Sequence, residues 1–305
     1  MLEPKRIGSL KASIIIPCYN TRNLIRRNLP SVLAAARYKK NQIDEVILID
    51  DASPDDSAQV VEKEFPTIKL IRHRVNRGFS ASVNTGARAA KGNLLVLLNT
   101  DVIPEKDFLV SALRRFKNPS IFAVSLHEVG YAWARGYFKD GFINHEQGVG
   151  DTKLHETFWV SGGSAVYRRD YWMALGGMDE KLLGPFYWED IDLSYRAAKR
   201  GFLNVWDPNA MVTHKHESTI SKLSKEYVAR IRERNQLLFV WKNITSPILF
   251  RKHLIGLFQR VVKHPGYLRI VIMALGRLRI LLRARRRETK ESRLSDEAIF
   301  AKFSL

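Results

Sequence analysis

Apolar positions along the first two hundred residues alternate between two patterns. Residues 12–16, 45–49, 68–72 and 94–98 are short runs rich in aliphatic side chains, the pattern of strands buried on both faces. Between them, 21–38, 55–65 and 79–91 carry apolar residues at helical spacing. Ser53 and Asp55 are placed to cap the second helix and Gly92 to stop the third. Strand–helix alternation predicts an α/β chain with a mostly parallel central sheet flanked by helices. Further on, 121–126 reads as a strand, 105–116 as a helix, and 127–156 as long loops without clear period. FWVSGGSAVY (158–167) reads as a strand around Gly162 and Gly163, a pair that implies close approach of backbone to a ligand or to another segment. Residues 190–200, followed by Gly201, read as a helix with a glycine stop.

From 246 to 287 the pattern changes: apolar residues are interrupted by Lys or Arg every few positions, with a break at Pro265-Gly266. Two basic amphipathic helices are expected, suited to an anionic membrane surface or to packing on the rest of the chain with a solvated basic face. The charge marks the same boundary. Of a formal net charge of +19, the stretch from 242 onward contributes fifteen Lys/Arg against four Asp/Glu. The chain is therefore divided into a domain at 1–243 and a basic helical extension at 244–305. The 305 residues, 45% hydrophobic, allow a sizeable core. The single Cys18 excludes an internal disulfide and fits a reducing compartment, and its neighbours Ile16 and Pro17 suggest a packed thiol. With no leader pattern and no apolar run approaching ~18 residues, a cytoplasmic chain, peripheral at the inner face of the cell membrane, is expected. Charge alone would also suit nucleic acid, but no zinc-finger or RNP pattern accompanies it, so no nucleic-acid partner is expected.

In open α/β sheets ligands bind beyond the carboxyl ends of the strands. Here those ends read PCYN (17–20), DDASPDD (50–56), HRVNRGF (73–79) and NTD (99–101). They are rich in Asp and Asn, with no G-x-G-x-x-G after the first strand and no P-loop anywhere, which disfavours dinucleotide and P-loop folds. PFYWEDIDLSYR (185–196) gathers Glu189, Asp190 and Asp192 behind three aromatics. Acids at a helix start cap free N–H groups and complement the macrodipole. An apolar wall of Tyr187 and Trp188 would also raise a carboxylate's pKa and restrict water, as suits a proton acceptor.

Taken in order, SIIIPCYN (13–20), VILIDDASPDDS (46–57), NRGFSASVNTGARAAKGNLLVLLNTD (76–101), SGGSAVYRRDYWMALGGMDEKLLGPFYWEDIDLSYRAAKRGF (161–202), VTHKHEST (212–219) and ERNQLLFVWKN (233–243) resemble the inverting family-2 glycosyltransferases of the GT-A fold. LSDEAIFAKF (294–303) is similar to the tail of the rhamnosyl- and galactofuranosyl-transferase-like branch. The resemblance implies a nucleotide-diphosphate-sugar donor (UDP-, dTDP- or GDP-linked) and transfer to a hydroxyl of a glycan or lipid-linked acceptor in cell-surface polysaccharide synthesis. It implies donor contacts from Pro17, Tyr19, Asn20, Asp50, Asp51, Asn76, Gly78, Asn99 and Asp101. Asn99 stands where the fuller DXD-type motif has its first Asp, leaving Asp101 as the principal ligand of a divalent cation, Mn²⁺ or Mg²⁺. His214 is the second metal ligand implied, with His216 a competitor two positions on. Asp190 is the implied catalytic base, with Glu189 and Asp192 beside it, and Gly162, Gly163 and Trp188 on the acceptor side. Absence of Q-x-x-R-W implies one or a few sugars added per encounter. A catalytically inactive scaffold remains the alternative, against which the acids at 101 and 190 argue.

Overall fold

The structure is a computed structural model, and it describes residues 7–215 and 223–303. The four apolar runs form its parallel half. Strands β1 (Ala12–Cys18), β2 (Ile43–Asp50), β3 (Lys69–Arg72) and β4 (Leu94–Leu98) lie side by side in the order β3-β2-β1-β4. Helices α1 (Arg22–Arg37), α2 (Ser57–Glu64) and α3 (Phe79–Ala89) make the crossovers. Because side chains alternate across a strand, Ile14, Ile16, Leu48 and Val96 pack on Ile25, Leu29 and Val61 of α1 and α2. Their neighbours Ile15, Ile47, Ile49 and Leu97 pack on Val83 and Ala87 of α3. The anticipated caps differ in detail: Asp55 accepts the N–H of Ser57 at the start of α2, while Ser53 Oγ instead accepts the N–H of Asn20.

After β5 (Val102–Pro104) and α4 (Phe108–Arg115), β6 runs from Ile121 to Glu128, two residues beyond expectation. The next segment is not loop throughout. Strands β7 (Ala134–Lys139) and β8 (Phe142–Gln147) form an antiparallel hairpin turning on Asp140-Gly141, both at positive φ (52° and 83°). An Asp-Gly pair is a strong hairpin signal, but the flanking strands alternate too weakly in polarity to reveal themselves by period. The short β9 (His155–Glu156) follows, and β10 occupies only Ser164–Arg168, so residues 158–163 are irregular rather than strand.

Strand β10 lies antiparallel between β4 and β6. Helices α5 (Arg169–Leu175) and α6 (Glu189–Lys199) then lead to β11 (Leu203–His214), which pairs parallel with β6 and antiparallel with β5 and β9. Gly201 ends α6 at φ 84°, as its type suggested.

Beyond the sheet, α7 (Lys225–Asn243) and α8 (Pro247–Lys263) are each N-capped by a serine, Ser224 and Ser246. The second tail helix is two: α9 (Leu268–Leu275) and α10 (Leu278–Glu291) divide at Gly276-Arg277, before a last turn, α11 (Asp296–Ala301). The tail is docked, not detached. Leu249, Tyr267, Ile270, Leu281, Ile299 and Phe300 share one core with Leu183, Trp188, Tyr195 and Phe239. Among the described residues, no helix is long and apolar enough to cross a membrane.

Candidate active site

The carboxyl ends of β1, β2 and β4 open into a cleft of about 630 Å³, walled on its far side by the turn before α6 and by the start of α7. Pro17, Tyr19, Asp51, Asn76, Gly78, Asn99, Asp101, Gly162, Gly163, Glu189, Asp190 and His214 line it. Four residues expected there do not. Asn20 points its backbone N–H to Ser53, Asp50 is buried behind the cleft, and Asp192 and Trp188 are packed into the interior. His216 lies outside the described residues. Cys18 borders the cleft as a packed thiol, pushed up to about 11 by burial.

Asp51 is a fastening residue in this arrangement. Its buried carboxylate meets His73 Nδ1 at 2.6 Å and accepts the N–H groups of Arg77 and Gly78, the latter at 2.7 Å. His73 Nε2 in turn meets Thr85 Oγ1 at 3.0 Å. The 73–78 loop is thus tied to the end of β2. Gly78 has φ 84°, and a Cβ there would sit 3.1 Å from the carbonyl oxygen of Pro185. A side chain would therefore be strained and crowd the opposite wall.

The Asn99-Thr100-Asp101 turn is held from both sides. Asn99 donates its N–H to Gly163 O at 2.8 Å, and Asn28 Nδ2 donates to Thr100 O at 2.8 Å. Asp101 Oδ1 lies 3.2 Å from His214 Nε2, and His214 Nδ1 lies 3.1 Å from Glu128 Oε2. Glu128, the last residue of β6, also accepts from Ser161 and Ser164. Sequence reading missed it, having ended the strand at 126; its position opposite Val212 in the β6–β11 ladder is what brings it to His214. Burial opposes charge on His214, but the hydrogen bonds to Asp101 and Glu128 prevail and push it up to about 9.

Among the described residues, no set of three or more His, Cys, Asp or Glu side chains is arranged as a metal cage. A carboxylate and an imidazole 3.2 Å apart on the cleft wall nevertheless fit a divalent cation whose remaining positions are filled by phosphate oxygens or water. The orienting carboxylate on the far ring nitrogen matches the usual outer partner of a ligating histidine.

Gly162 and Gly163 join this corner to the opposite wall. Gly162 donates its N–H to Asp190 Oδ2 at 3.2 Å. A Cβ on Gly162 would approach Asp190 Oδ2 to 3.4 Å, and one on Gly163 would come within 2.6 Å of Asn99 Nδ2. The close approach inferred from the paired glycines is therefore to other segments, and the pair spans between Asp101 and Asp190. Burial drives the carboxyls of both Asp190 and Glu189 upward, and for Glu189 the neighbouring Asp190 adds to the effect. Asp192 behaves oppositely. Burial would raise it, but Arg196 and Lys242 overcome that and hold it at about 2, with Asn243 donating as well.

Trp188 forms no part of the cleft wall; it packs on Phe239. It and Tyr187 adopt left-handed φ values of 73° and 69°. That turn is pinned from α7, where Asn235 Nδ2 donates to the carbonyls of Leu183, Phe186 and Tyr187. Arg234 Nη2 donates to Gly184 O at 2.6 Å. Arg234 thus serves the turn, and burial lowers it to about 10. Trp159, Phe186, Tyr187 and Tyr227 supply the aromatic lining. Tyr227 escaped notice because only the folded chain brings the first turn of α7 to the cleft.

Comparison with known proteins agrees with this architecture. The sequence pattern of "Glycosyl transferase family 2" matches residues 13–176. The "Pre-mycofactocin glycosyltransferase" of Mycobacterium tuberculosis is 26% identical over 226 residues, 72% of this chain and 44% of its own length. The chain thus spans less than half of the first curated relatives it matches. Among solved structures, GalNAc-T7 with UDP, GalNAc and Mn²⁺ superposes with TM-score 0.62 at 16% identity, covering 85% of this chain and 57% of that one. A mannosyltransferase from Pyrobaculum calidifontis in complex with GDP-Man and Mn²⁺ gives 0.56 at 18% identity, covering 99% and 88%. With more than half its length matched by the family pattern, and with the sheet and crossovers of the GT-A fold, the chain belongs to glycosyl transferase family 2.

Proposed function

We propose that the chain is an inverting, metal-dependent hexosyltransferase that moves a sugar from a nucleotide diphosphate to a hydroxyl of a glycan or lipid-linked acceptor in cell-surface polysaccharide synthesis. The observation that carries this reading is the single cleft in which the Asp101–His214 pair and Asp190 face one another across Gly162-Gly163. The nucleotide lies at the Pro17–Tyr19 end, bounded by Asn76 and Gly78, with the ring of Tyr19 against the base. Asp101 and His214 would hold a Mn²⁺ or Mg²⁺ ion, which would supply positive charge to the departing diphosphate.

Asp190 takes the proton of the acceptor hydroxyl as that oxygen bonds to the anomeric carbon. The bond from that carbon to phosphate breaks on the opposite face, so the centre inverts and the nucleoside diphosphate leaves. A carboxylate raised by burial is better matched to accepting that proton near neutrality than a solvated one. Glu189 beside it is also pushed upward, by burial and by the neighbouring Asp190.

The reading assigns chemistry to 1–243 and bracing to 244–305. It extends to the rhamnosyl- and galactofuranosyl-transferase-like branch on the strength of residues 294–303. It also extends to addition of one or a few sugars per encounter, and to a cytoplasmic station at the inner face of the membrane.

A thermal-shift panel of UDP-, dTDP- and GDP-sugars, with and without Mn²⁺, tests it. One donor class should stabilise the protein in a metal-dependent way, and stabilisation by none would overturn the reading. Asp190→Asn should lower transfer by about 10²-fold or more while keeping the donor-induced shift. Full turnover in that variant would remove Asp190 from the mechanism.

A further inference from the structure

The tail's outward surface has an order that neither fold stability nor catalysis explains. Eleven exposed large apolar side chains fall between 248 and 282. Isolated exposed apolar residues are ordinary on protein surfaces, but contiguous groups mark interaction sites. On α8, Ile248, Ile255, Phe258 and Val262 recur at spacings of seven, three and four, which sets them along one face. They are far from marginal: Phe258 is 70% exposed and Val262 63%. Past the Pro265–Tyr267 turn, Leu268 and Ile272 continue the exposed apolar series on α9, one helical turn apart.

This face is locked outward. On the opposite side of α8, a Cβ on Gly256 would come within 2.3 Å of the carbonyl oxygen of Asp140 in the β7–β8 turn. Beside it, the buried His253 donates through Nδ1 to Gly141 O at 2.7 Å and accepts at Nε2 from Trp241 Nε1 at 2.8 Å. Arg260 covers the ring of Phe142 at 3.6 Å. Rotating the helix to bury Phe258 would break all of these contacts, so the apolar stripe has no inward alternative.

The surrounding charge selects the occupant. Residues 247–287 contain eleven Lys or Arg and no Asp or Glu. Arg251, Lys252, Lys263 and Arg269 are exposed around the stripe. A groove beside α9 also holds Glu226 and Glu233 of α7, but the stripe of α8 carries cations and no carboxylate of its own. Apolar side chains set among such cations complement a lipid surface carrying anionic headgroups above hydrocarbon.

We propose that the outer face of α8, continued by α9, is a preformed docking surface that lies in the plane of an anionic bilayer, with Ile255, Phe258 and Val262 entering the acyl boundary. The proposal rests on the membrane station included in the proposed function, but not on its catalytic part. The same α7 whose Tyr227 lines the cleft bears Glu226, Arg230 and Glu233 on a groove of about 1180 Å³ shared with Leu268, Arg269 and Ile272. One helix thus separates cleft from docking face, and an acceptor anchored in lipid would reach the aromatic wall along it.

The test is co-sedimentation of the full chain with vesicles of phosphatidylcholine alone or mixed with phosphatidylglycerol, without donor. The wild type should bind the mixed vesicles and not the neutral ones. Ile255→Glu with Phe258→Glu, and separately Lys252→Glu with Lys263→Glu, should each lower vesicle affinity by about tenfold or more. Circular dichroism and thermal melting should be unchanged, since all four side chains are exposed. Failure of the wild type to bind, or unchanged binding by the apolar variant, would overturn the proposal. So would a concentration-dependent dimer abolished by the same substitutions without vesicle binding, which would assign the face to a second copy. Transfer to a water-soluble acceptor in the absence of lipid reports on catalysis alone, so the two readings fail separately.

Discussion

Asp190 and Asp192, two positions apart on the first turn of α6, carry opposite electrostatics. Asp190 faces the cleft with backbone N–H donors and no cation, and burial raises it. Asp192 turns inward onto Arg196 and Lys242, which hold it at about 2. The depressed value means that its contribution to stability is fully present above the unfolded-state pKa, near 4, and is lost as pH falls through about 2. On this basis the charge of Asp192 contributes on the order of 2 kcal/mol at neutral pH. Asp192→Asn should therefore lower urea-unfolding stability by roughly that amount at pH 7, with the gap to wild type closing between about pH 4 and pH 2. Asp190→Asn should leave stability unchanged or raised, because it removes a buried charge that no cation balances. A loss of stability in both variants alike would mean that the two acids share one structural role. Identity alone could not separate them: EDID reads as three equivalent acids until the fold shows which faces solvent and which faces arginine.

At the scale of elements, the turn before α6 depends on another helix. Left-handed φ values at Tyr187 and Trp188 cost about 1–3 kcal/mol each, and Asn235 offsets this through three carbonyls from a fully buried position on α7. We expect Asn235→Ala to let the turn relax and displace Asp190, lowering kcat about a hundredfold while donor affinity, read by thermal shift, changes little. A purely structural role would instead lower stability and leave kcat of the folded fraction intact. How much was legible in the sequence follows the same division. The parallel half of the sheet was readable because β1, β2 and β4 carry runs of buried aliphatic residues and each crossover helix is amphipathic. The β7–β8 hairpin was not, because its strands alternate weakly and only Asp140-Gly141 announces it. Glu128 was missed because its role arises from pairing with a strand more than eighty residues later. Trp188 was assigned to a wall because aromatic identity says nothing about direction, and the left-handed backbone turns it inward.

Across the whole molecule, three of the tail's four acids bond to the body, and the fourth, Glu297, to the start of α8. Glu288 and Glu291 pair with Arg200, Glu297 accepts from Ser246, and Asp296 accepts from Tyr195, Lys199, Thr245 and Ser246. Glu288 and Asp296 are buried, and of the exposed acids Glu291 also meets Arg287, so most of the positive charge of 247–287 stays on the outward surface. Asp296 is the keystone of the docked tail: completely buried, it joins α11 to α6 and to the start of α8. Asp296→Ala would leave Lys199 buried without its counter-charge and two backbone N–H groups without an acceptor. Such breaks cost about 3–5 kcal/mol, and urea unfolding should show a loss of that order. Hydrogen exchange should rise first in the start of α8 and in α11, where Phe300 and, just past its end, Phe303 pack on Phe158, before it rises in β1 and β4. A variant within about 0.5 kcal/mol of wild type, the range of ordinary surface substitutions, would show that the tail is held by apolar packing alone. The inward pull on its acids would then not explain the charge of its outer face.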